Sequence, residues 1–431
     1  MALSGRVALL AALGAVLVAV AWPSAAGVAV VTGVVVLLAL LDVLLAGSVA
    51  DLAVSRAGAE TVRLGTSASV ALIVRNDGRR VVRGVLRDAW PPSAGARGER
   101  ATIELPPGDQ RRIEVTLTPT RRGDRHADRV TVRSTGPLGL AGRQRSHRVP
   151  WTVRVLPAFH ARRHLPARLA RLRELDGRSS VRIRGAGTEF DSLRGYVIGD
   201  DTRSIDWRAT ARRGDVVVRT WRPERDQHVL IVLDTGRTSA GRVGDAPRLD
   251  AAMDAALLLA ALATRAGDRV DLLAYDRQVR TSVERTSATD VLRRMVDALA
   301  TVEPELLETD HRRLSAEILR RAGRHALVVL ITGLDAATVE AGLLPVLGQL
   351  THRHTVLVAS VADPHLATMA AARGDVGAVY DAAAASYDQQ ARTRVSELLQ
   401  RRGAHVVDAP PDQLPPALAD AYLALKAAGR L

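Results

Sequence analysis

Residues 187–219 read GTEFDSLRGYVIGDDTRSIDWRATARRGDVVVR, and the reading of the whole chain turns on this stretch. Charged residues crowd in among a few large apolar ones, Phe190, Leu193, Tyr196, Ile205 and Trp207. The mixture is too charged for a core helix and too rich in aromatic anchors for a solvated linker. It suits a polar loop-and-turn structure stitched by charge-assisted hydrogen bonds. Glu189, Asp191, Asp200, Asp201 and Asp206 are expected to face Arg194, Arg203, Arg208 and Arg212. Trp207 and Phe190 are expected to be buried, pinning the loop to a neighbouring element so that it presents a partner-binding surface.

Downstream, the apolar run Val229–Leu233 ends at Asp234. Short apolar strands then bracket amphipathic helices: Leu249–Arg265 follows the first, Thr289–Leu299 follows Arg269–Tyr275, and Val339–Leu350 follows Ala326–Ile331. Thr355–Val361, a helix near Gln389–Arg401, Ala404–Val407 and Leu414–Ala427 complete the pattern. Such alternation indicates a parallel, doubly wound sheet over 229–431. Ligands of these sheets bind beyond the carboxyl ends of the strands, where Asp234 stands.

Upstream, the order of elements changes. Val7–Trp22 and Val28–Leu45 are apolar runs separated by Pro23–Gly27, and with their small flanking residues each approaches the ~20 residues a bilayer needs. The expectation is a transmembrane helical hairpin over 1–46; a cleaved signal peptide ending near Ser24–Ala26 is the alternative. Arg56, Arg63, Arg75, Arg79 and Arg80 follow, so the positive-inside bias puts the remainder in the cytoplasm of a multi-pass inner-membrane protein. From 47 to 157, runs such as Val70–Val74, Val81–Leu86, Ala101–Leu105 and Arg112–Leu117 alternate β-formers between turn signals such as Asn76-Asp77-Gly78. About seven strands at this spacing suggest an immunoglobulin-like β-sandwich. Residues 158–228 connect the two, opening on an amphipathic helix over Ala161–Glu174.

The chain has 431 residues, no cysteine and a net charge of +14, which excludes thiolate metal sites and a disulfide framework. The charge is uneven: residues 46–156 hold 20 arginines against 10 acids, whereas residues 231–431 hold 23 basic residues against 25 acidic. Anionic lipid beside the basic half accounts for that excess without nucleic acid. No P-loop, H-E-x-x-H or cysteine nucleophile is present, and Gly185-Ala186-Gly187 opens no dinucleotide fingerprint. Asp200 and Asp201 suit either a metal or acid–base chemistry, or ion pairing in an arginine-rich loop. His352 and His354 are expected to cap the start of the next strand.

The run E-F-x-x-L-R-x-Y-x-x-G-D-D-x-R-x-I-D-W-x-x-x-A-R, from Glu189 through Gly199 to Arg212, resembles the signature of domain-of-unknown-function family 58. These are bacterial membrane-anchored proteins with a von Willebrand factor A-like domain. The resemblance implies such a Rossmann-type domain after the sandwich, and a partnership with a MoxR-type AAA+ ATPase in envelope stress or in maturation of other proteins. Von Willebrand A-like domains hold Mg²⁺ or Mn²⁺ with D-x-S-x-S after the first strand, plus a Thr and an Asp from two further loops. Here the first loop reads Asp234-Thr235-Gly236-Arg237-Thr238, with Gly236 in place of one hydroxyl ligand. After the strand ending at Ile331, Asp335 is displaced from the position of the Asp, and Thr309 is the nearest candidate for the third-loop Thr. Asp234 and Thr238 are therefore the residues of a degenerate metal site, and no cofactor beyond weak Mg²⁺ or Mn²⁺ is expected. A membrane-tethered, non-enzymatic interaction protein is the leading reading. A metal-dependent hydrolase using Asp200, Asp201 and Asp234 and a nucleic-acid binder are the alternatives.

Overall fold

The structure is a computed structural model and describes residues 2–182, 189–222 and 227–431, with side chains described outside 176–182, 189–191 and 220–222. The chain forms two compact units, Met1–Leu156 and Pro157–Leu431. It is a multidomain architecture, a β-sandwich and an α/β unit, with one helix long and apolar enough to span a membrane.

The first unit opens with helices α1 (Gly5–Ala21) and α2 (Ala25–Leu45). The expected five-residue link shrinks because the Ser24 side chain accepts a hydrogen bond from the Gly27 N–H and starts α2 at Ala25. Ser4 caps α1 while its own N–H donates to Leu140 O, so α1 is fixed at 17 residues. That is about 26 Å at 1.5 Å per residue, short of the ~30 Å hydrocarbon core, whereas the 21 residues of α2 reach about 32 Å. Among the described residues α2 alone has the length and composition of a membrane span. The expectation of a multi-pass membrane protein with cytoplasmic domains is corrected accordingly.

Seven strands follow: β1 (Leu52–Gly58), β2 (Ala68–Asn76), β3 (Val82–Asp88), β4 (Arg100–Leu105), β5 (Gln110–Leu117), β6 (Gly123–Thr135) and β7 (Ala141–Leu156). Short pieces at Ala2–Leu3, Thr61–Arg63 and Ala96–Arg97 extend the sheet edges. One sheet runs β7-β6-β3-β4 and the other β1-β2-β5. Period-2 alternation explains the layer: Ile113, Val115 and Leu117 of β5 point inward while their neighbours are exposed. β6 and β7 are longer than their apolar patches suggested, since Gln144–Arg148 pairs fully with Arg129–Arg133 despite its polar face.

Two acids lock this unit. Asp42, which has no assigned role in the sequence, is fully buried; its carboxylate accepts N–H donors from Leu138 (2.7 Å), Leu140 (2.7 Å) and Ala141 (2.8 Å). The end of α2 is thereby riveted to the β6–β7 turn, and Gly136 is needed there because a Cβ would lie 2.2 Å from Asp42. Asp88 is buried with Arg56, which it pairs, and accepts the Trp90 indole N–H at 2.8 Å. Arg56, one of the arginines that follow the second apolar run, is thus a core residue.

The second unit carries α3 (Leu165–Arg182), then the signature stretch as β8 (Glu189–Gly195), α4 (Trp207–Arg213) and β9 (Val217–Arg222). Its α/β core comprises β10 (His228–Asp234), α5 (Arg248–Arg265), β11 (Arg269–Tyr275), β12 (Val279–Val283), α6 (Val291–Ala300) and α7 (His311–Arg321). It continues through β13 (Leu327–Ile331), α8 (Leu344–Arg353), β14 (Thr355–Val361), α9 (Pro364–Ala371), α10 (Val376–Arg401), β15 (His405–Ala409) and α11 (Leu414–Ala427). The sheet order is β12-β11-β10-β13-β14-β15, parallel except for the edge strand β12. Residues Val229–Asp234 of β10 are buried, as a central parallel strand requires. The order reverses between β10 and β13, so the crevice at their carboxyl ends is the topological switch point. Sequence patterning missed β12, whose VRTSV is half polar, and α7, most of whose residues are polar.

Candidate functional site

At the switch point one carboxylate gathers three loops. Asp234 ends β10 and is buried. Its Oδ1 accepts the Gly236 N–H (2.8 Å) and the Thr309 hydroxyl (2.5 Å), and its Oδ2 accepts the hydroxyls of Thr332 (2.5 Å) and Thr238 (3.3 Å). All four acceptor positions of the carboxylate are taken. Thr309 is brought in as the sequence suggested; Thr332 was not foreseen, although it directly follows the strand ending at Ile331. Asp335 is elsewhere, capping a short turn through the Thr338 N–H at 3.1 Å.

Gly236 leaves room that a side chain would fill: a Cβ there would stand 2.2 Å from Thr309 Oγ1 and 2.9 Å from Leu307 O. A serine at 236 would have to displace the Thr309 hydroxyl before its own hydroxyl could act as a ligand. One carboxylate and three hydroxyls are all-oxygen donors of the type hard cations take, but they supply a single negative charge. The set fits Mg²⁺ in kind and not in charge.

Next to it, Asp276 accepts the Thr235 hydroxyl (3.1 Å) and the Arg280 guanidinium. Burial alone pushes the Asp276 carboxyl up; Arg280 and the Arg277 and Gln278 N–H groups outweigh it and hold it below the ordinary range. Burial lowers the His311 imidazole, with Asp234 pulling the other way. Thr235, Asp276 and Arg280 thus form a second hydrogen-bonded set beside Asp234, which sequence spacing did not reveal.

The signature stretch folds as a two-stranded ribbon. β8 and β9 pair antiparallel, and a β-bridge joins Ile205 to Val218. The expected ion pairs form in part. Arg194 clamps Asp200 with two bonds of 2.8 and 2.5 Å, and Asp200 also accepts the Val197 N–H at 2.9 Å. The Arg194 bond, then that N–H, hold the Asp200 carboxyl below its ordinary range. Asp201 caps the turn at Thr202 by accepting the Arg203 N–H. Asp206 caps α4 through the Arg208 and Ala209 N–H groups at 3.0 Å and pairs Arg219 at 2.8 Å. Gly199 sits at φ +108°, a conformation glycine alone adopts freely. Tyr196 is half-buried, and its N–H donates to Val216 O.

Two expectations are corrected here. Trp207 is 69 % exposed, so it does not pin the ribbon; as the first residue of α4 its backbone starts the helix while the indole points into solvent. Arg203 and Arg212 are exposed, with no ion pair among the described residues. Asp200 and Asp201 are thus committed to Arg194 and to a turn, and among the described residues no hydrogen bond links either to Asp234. Glu189 and Phe190 lie on β8 by backbone, with side chains outside the described residues, as is all of Gly185–Gly187. His354 is buried, and among the described residues neither ring nitrogen has a hydrogen-bond partner, so its side chain caps no strand there.

Residues 192–403 match the family model described as "Protein of unknown function DUF58". No curated protein matches. Among solved structures, a CARDB domain from Pyrococcus furiosus is 21 % identical, covering 24 % of this chain and 92 % of its own, with a TM-score of 0.19. A FixG-related protein from Vibrio parahaemolyticus is 13 % identical, covering 24 % and 96 %, also at 0.19. Likenesses at these scores carry no argument about function.

Proposed function

We propose that this chain, whose residues 192–403 are a DUF58-family domain, is a membrane-associated interaction protein whose α/β unit is von Willebrand A-like and docks a MoxR-type AAA+ ATPase. The observation that carries the reading is the placement of aromatic residues. The chain has twelve Phe, Trp and Tyr residues, yet Trp207, Tyr380 and Tyr387 are 69 %, 75 % and 69 % exposed. Tyr and Trp are the side chains that dominate binding hot spots, and an aromatic-poor chain that leaves these three in water on its α/β unit keeps them for a partner. The strand order and the Asp-Thr-Gly-Arg-Thr loop after β10 support the domain assignment. Asp234 already accepts three threonine hydroxyls and the Gly236 N–H, which favours scaffold over hydrolase and at most weak binding of Mg²⁺ or Mn²⁺ without a partner's carboxylate. The apolar helix α2 would hold the protein at a bilayer.

The test is capture of a purified MoxR-type ATPase by the full chain in detergent, with and without ATP. Saturable binding that Tyr380→Ala or Trp207→Ala weakens supports the reading. No binding in any nucleotide state, together with turnover of a phosphoester or peptide substrate lost in Asp234→Asn, would replace it with the hydrolase.

A further inference from the structure

A shallow, open pocket of about 410 Å³ lies on the ribbon, walled by Arg203, Asp206, Trp207, Arg208 and Arg219. We infer that it is a docking site for an acidic peptide segment of a partner protein, with carboxylates on Arg203 and Arg208 and an apolar side chain against the Trp207 indole. The inference rests on the partner reading above and adds the chemistry of what docks.

Three observations converge. Arg203 and Arg208 are exposed with no ion pair among the described residues, whereas Arg194 and Arg219 beside them hold aspartates. A guanidinium fork matches a carboxylate with two parallel bonds, so two free forks on one pocket favour a ligand with more than one carboxylate. The indole is exposed next to them, and an indole offers a large rigid contact surface at small entropic cost. The third observation is rigidity: Asp206 is held by Arg208 N–H, Ala209 N–H and Arg219, so the frame bearing Trp207 and Arg208 is set before any ligand arrives.

The sign pattern chooses among anionic partners. Residues 189–222 hold seven arginines and six acids. Nucleic acid and anionic bilayers call for a broad, single-sign basic face, because both present dense arrays of phosphate. Asp200, Asp201, Asp206 and Asp215 interrupt any such face. A peptide whose carboxylates alternate with apolar residues meets the free arginines and avoids the aspartates.

The experiment titrates the purified full chain in detergent into fluorescein-labelled Glu-Glu-Leu-Glu-Glu-Leu-Glu-Glu and into labelled octaglutamate, read by anisotropy. Arg203→Glu with Arg208→Glu should weaken both peptides about tenfold or more, while Arg203→Lys with Arg208→Lys keeps most of the affinity. Arg401→Glu with Arg402→Glu removes the same charge elsewhere on the unit and should change affinity less than about twofold. Trp207→Ala should weaken the leucine-bearing peptide about fivefold and leave octaglutamate unaffected. Equal losses in the two charge-reversed pairs would overturn the inference, reducing it to bulk charge. So would an oligonucleotide or dihexanoyl phosphatidylglycerol that competes better than octaglutamate at equal charge. The two readings fail separately. An ATPase captured equally by wild type and the Arg203/Arg208 reversal removes this site and keeps the partner; peptide binding that survives without any ATPase capture does the converse.

Discussion

Two tryptophans in this chain stand in almost the same local company and have opposite surroundings. Trp90 follows Asp88 at a distance of two residues, lies 8 % exposed, donates its indole N–H to that aspartate and has the Arg56 guanidinium 5.8 Å from its ring centre. Trp207 directly follows Asp206, is 69 % exposed, and shares its pocket with arginines that its aspartate does not neutralise. In the sandwich the aspartate serves the indole and the arginine, so aromatic, cation and anion close on one another. On the ribbon the aspartate serves backbone N–H groups and Arg219, so the indole and two guanidinium groups are left over. The same three residue types make a core in one place and a surface in the other, decided by what the carboxylate is used for.

Mutating the closed set should produce the largest effects. Trp90→Ala should cost about 3–5 kcal/mol of the first unit's stability, as truncation of a large buried aromatic does. Arg56→Ala should cost a similar ~3–5 kcal/mol because it leaves the Asp88 charge buried and unpaired. Urea unfolding followed by circular dichroism checks both; a loss under about 1 kcal/mol in either would break the contrast from the buried side.

Asp234→Ala comes next, at about 2–3 kcal/mol, since it strands several buried hydroxyls at the switch point. Gly236→Ser should also destabilise, by about 1–3 kcal/mol from overpacking against Thr309, and calorimetry should show no gain in Mg²⁺ affinity.

A smaller effect belongs to pH. Burial lowers the His354 imidazole, with His325, Arg353 and His228 adding to it, so the folded state binds the proton less readily than the unfolded chain. Stability from this group is complete above its unfolded pKa of about 6.5 and is lost as pH falls through that value toward the lowered folded one. His354→Leu should flatten the loss that sets in below about pH 6.5, worth about 1.4 kcal/mol for each unit of depression. Stability curves of the variant and wild type at matched pH values check it.

The smallest stability effect should be that of Trp207→Ala, within about 0.5 kcal/mol, because an exposed side chain has little packing to lose. A loss of several kcal/mol would return the indole to a scaffolding role and erase the difference between the two tryptophans.

Much of the chain's architecture was legible because burial imposes simple periods. The run Val229–Leu233 reads as a central parallel strand since both of its faces are covered, and Ile113, Val115 and Leu117 read as one face of a sandwich strand. What escaped was decided by contacts distant in sequence. Thr332 meets Asp234 across 98 positions, and Asp42 meets Leu140 across the same separation, so no local pattern marks either. The end of α1 escaped for the same reason: the Ser4 N–H is tied to Leu140 O, which apolar composition does not register. Trp207 departs from the rule that large aromatics are covered: Asp206 is committed to the α4 N-terminus, and among the described residues the indole stays exposed, which no local pattern marks.

The most direct test labels the full chain with 5-fluorotryptophan, assigns the Trp207 resonance through Trp207→Phe, and follows it by ¹⁹F NMR as a purified MoxR-type ATPase is added. The account expects Trp207 to show a full solvent isotope shift in the free protein, then to move and lose that shift on binding, while the Trp90 resonance stays shielded and still. An ATPase that binds while Trp207 keeps its position and its solvent exposure would contradict the claim that the ribbon is the surface a partner reads.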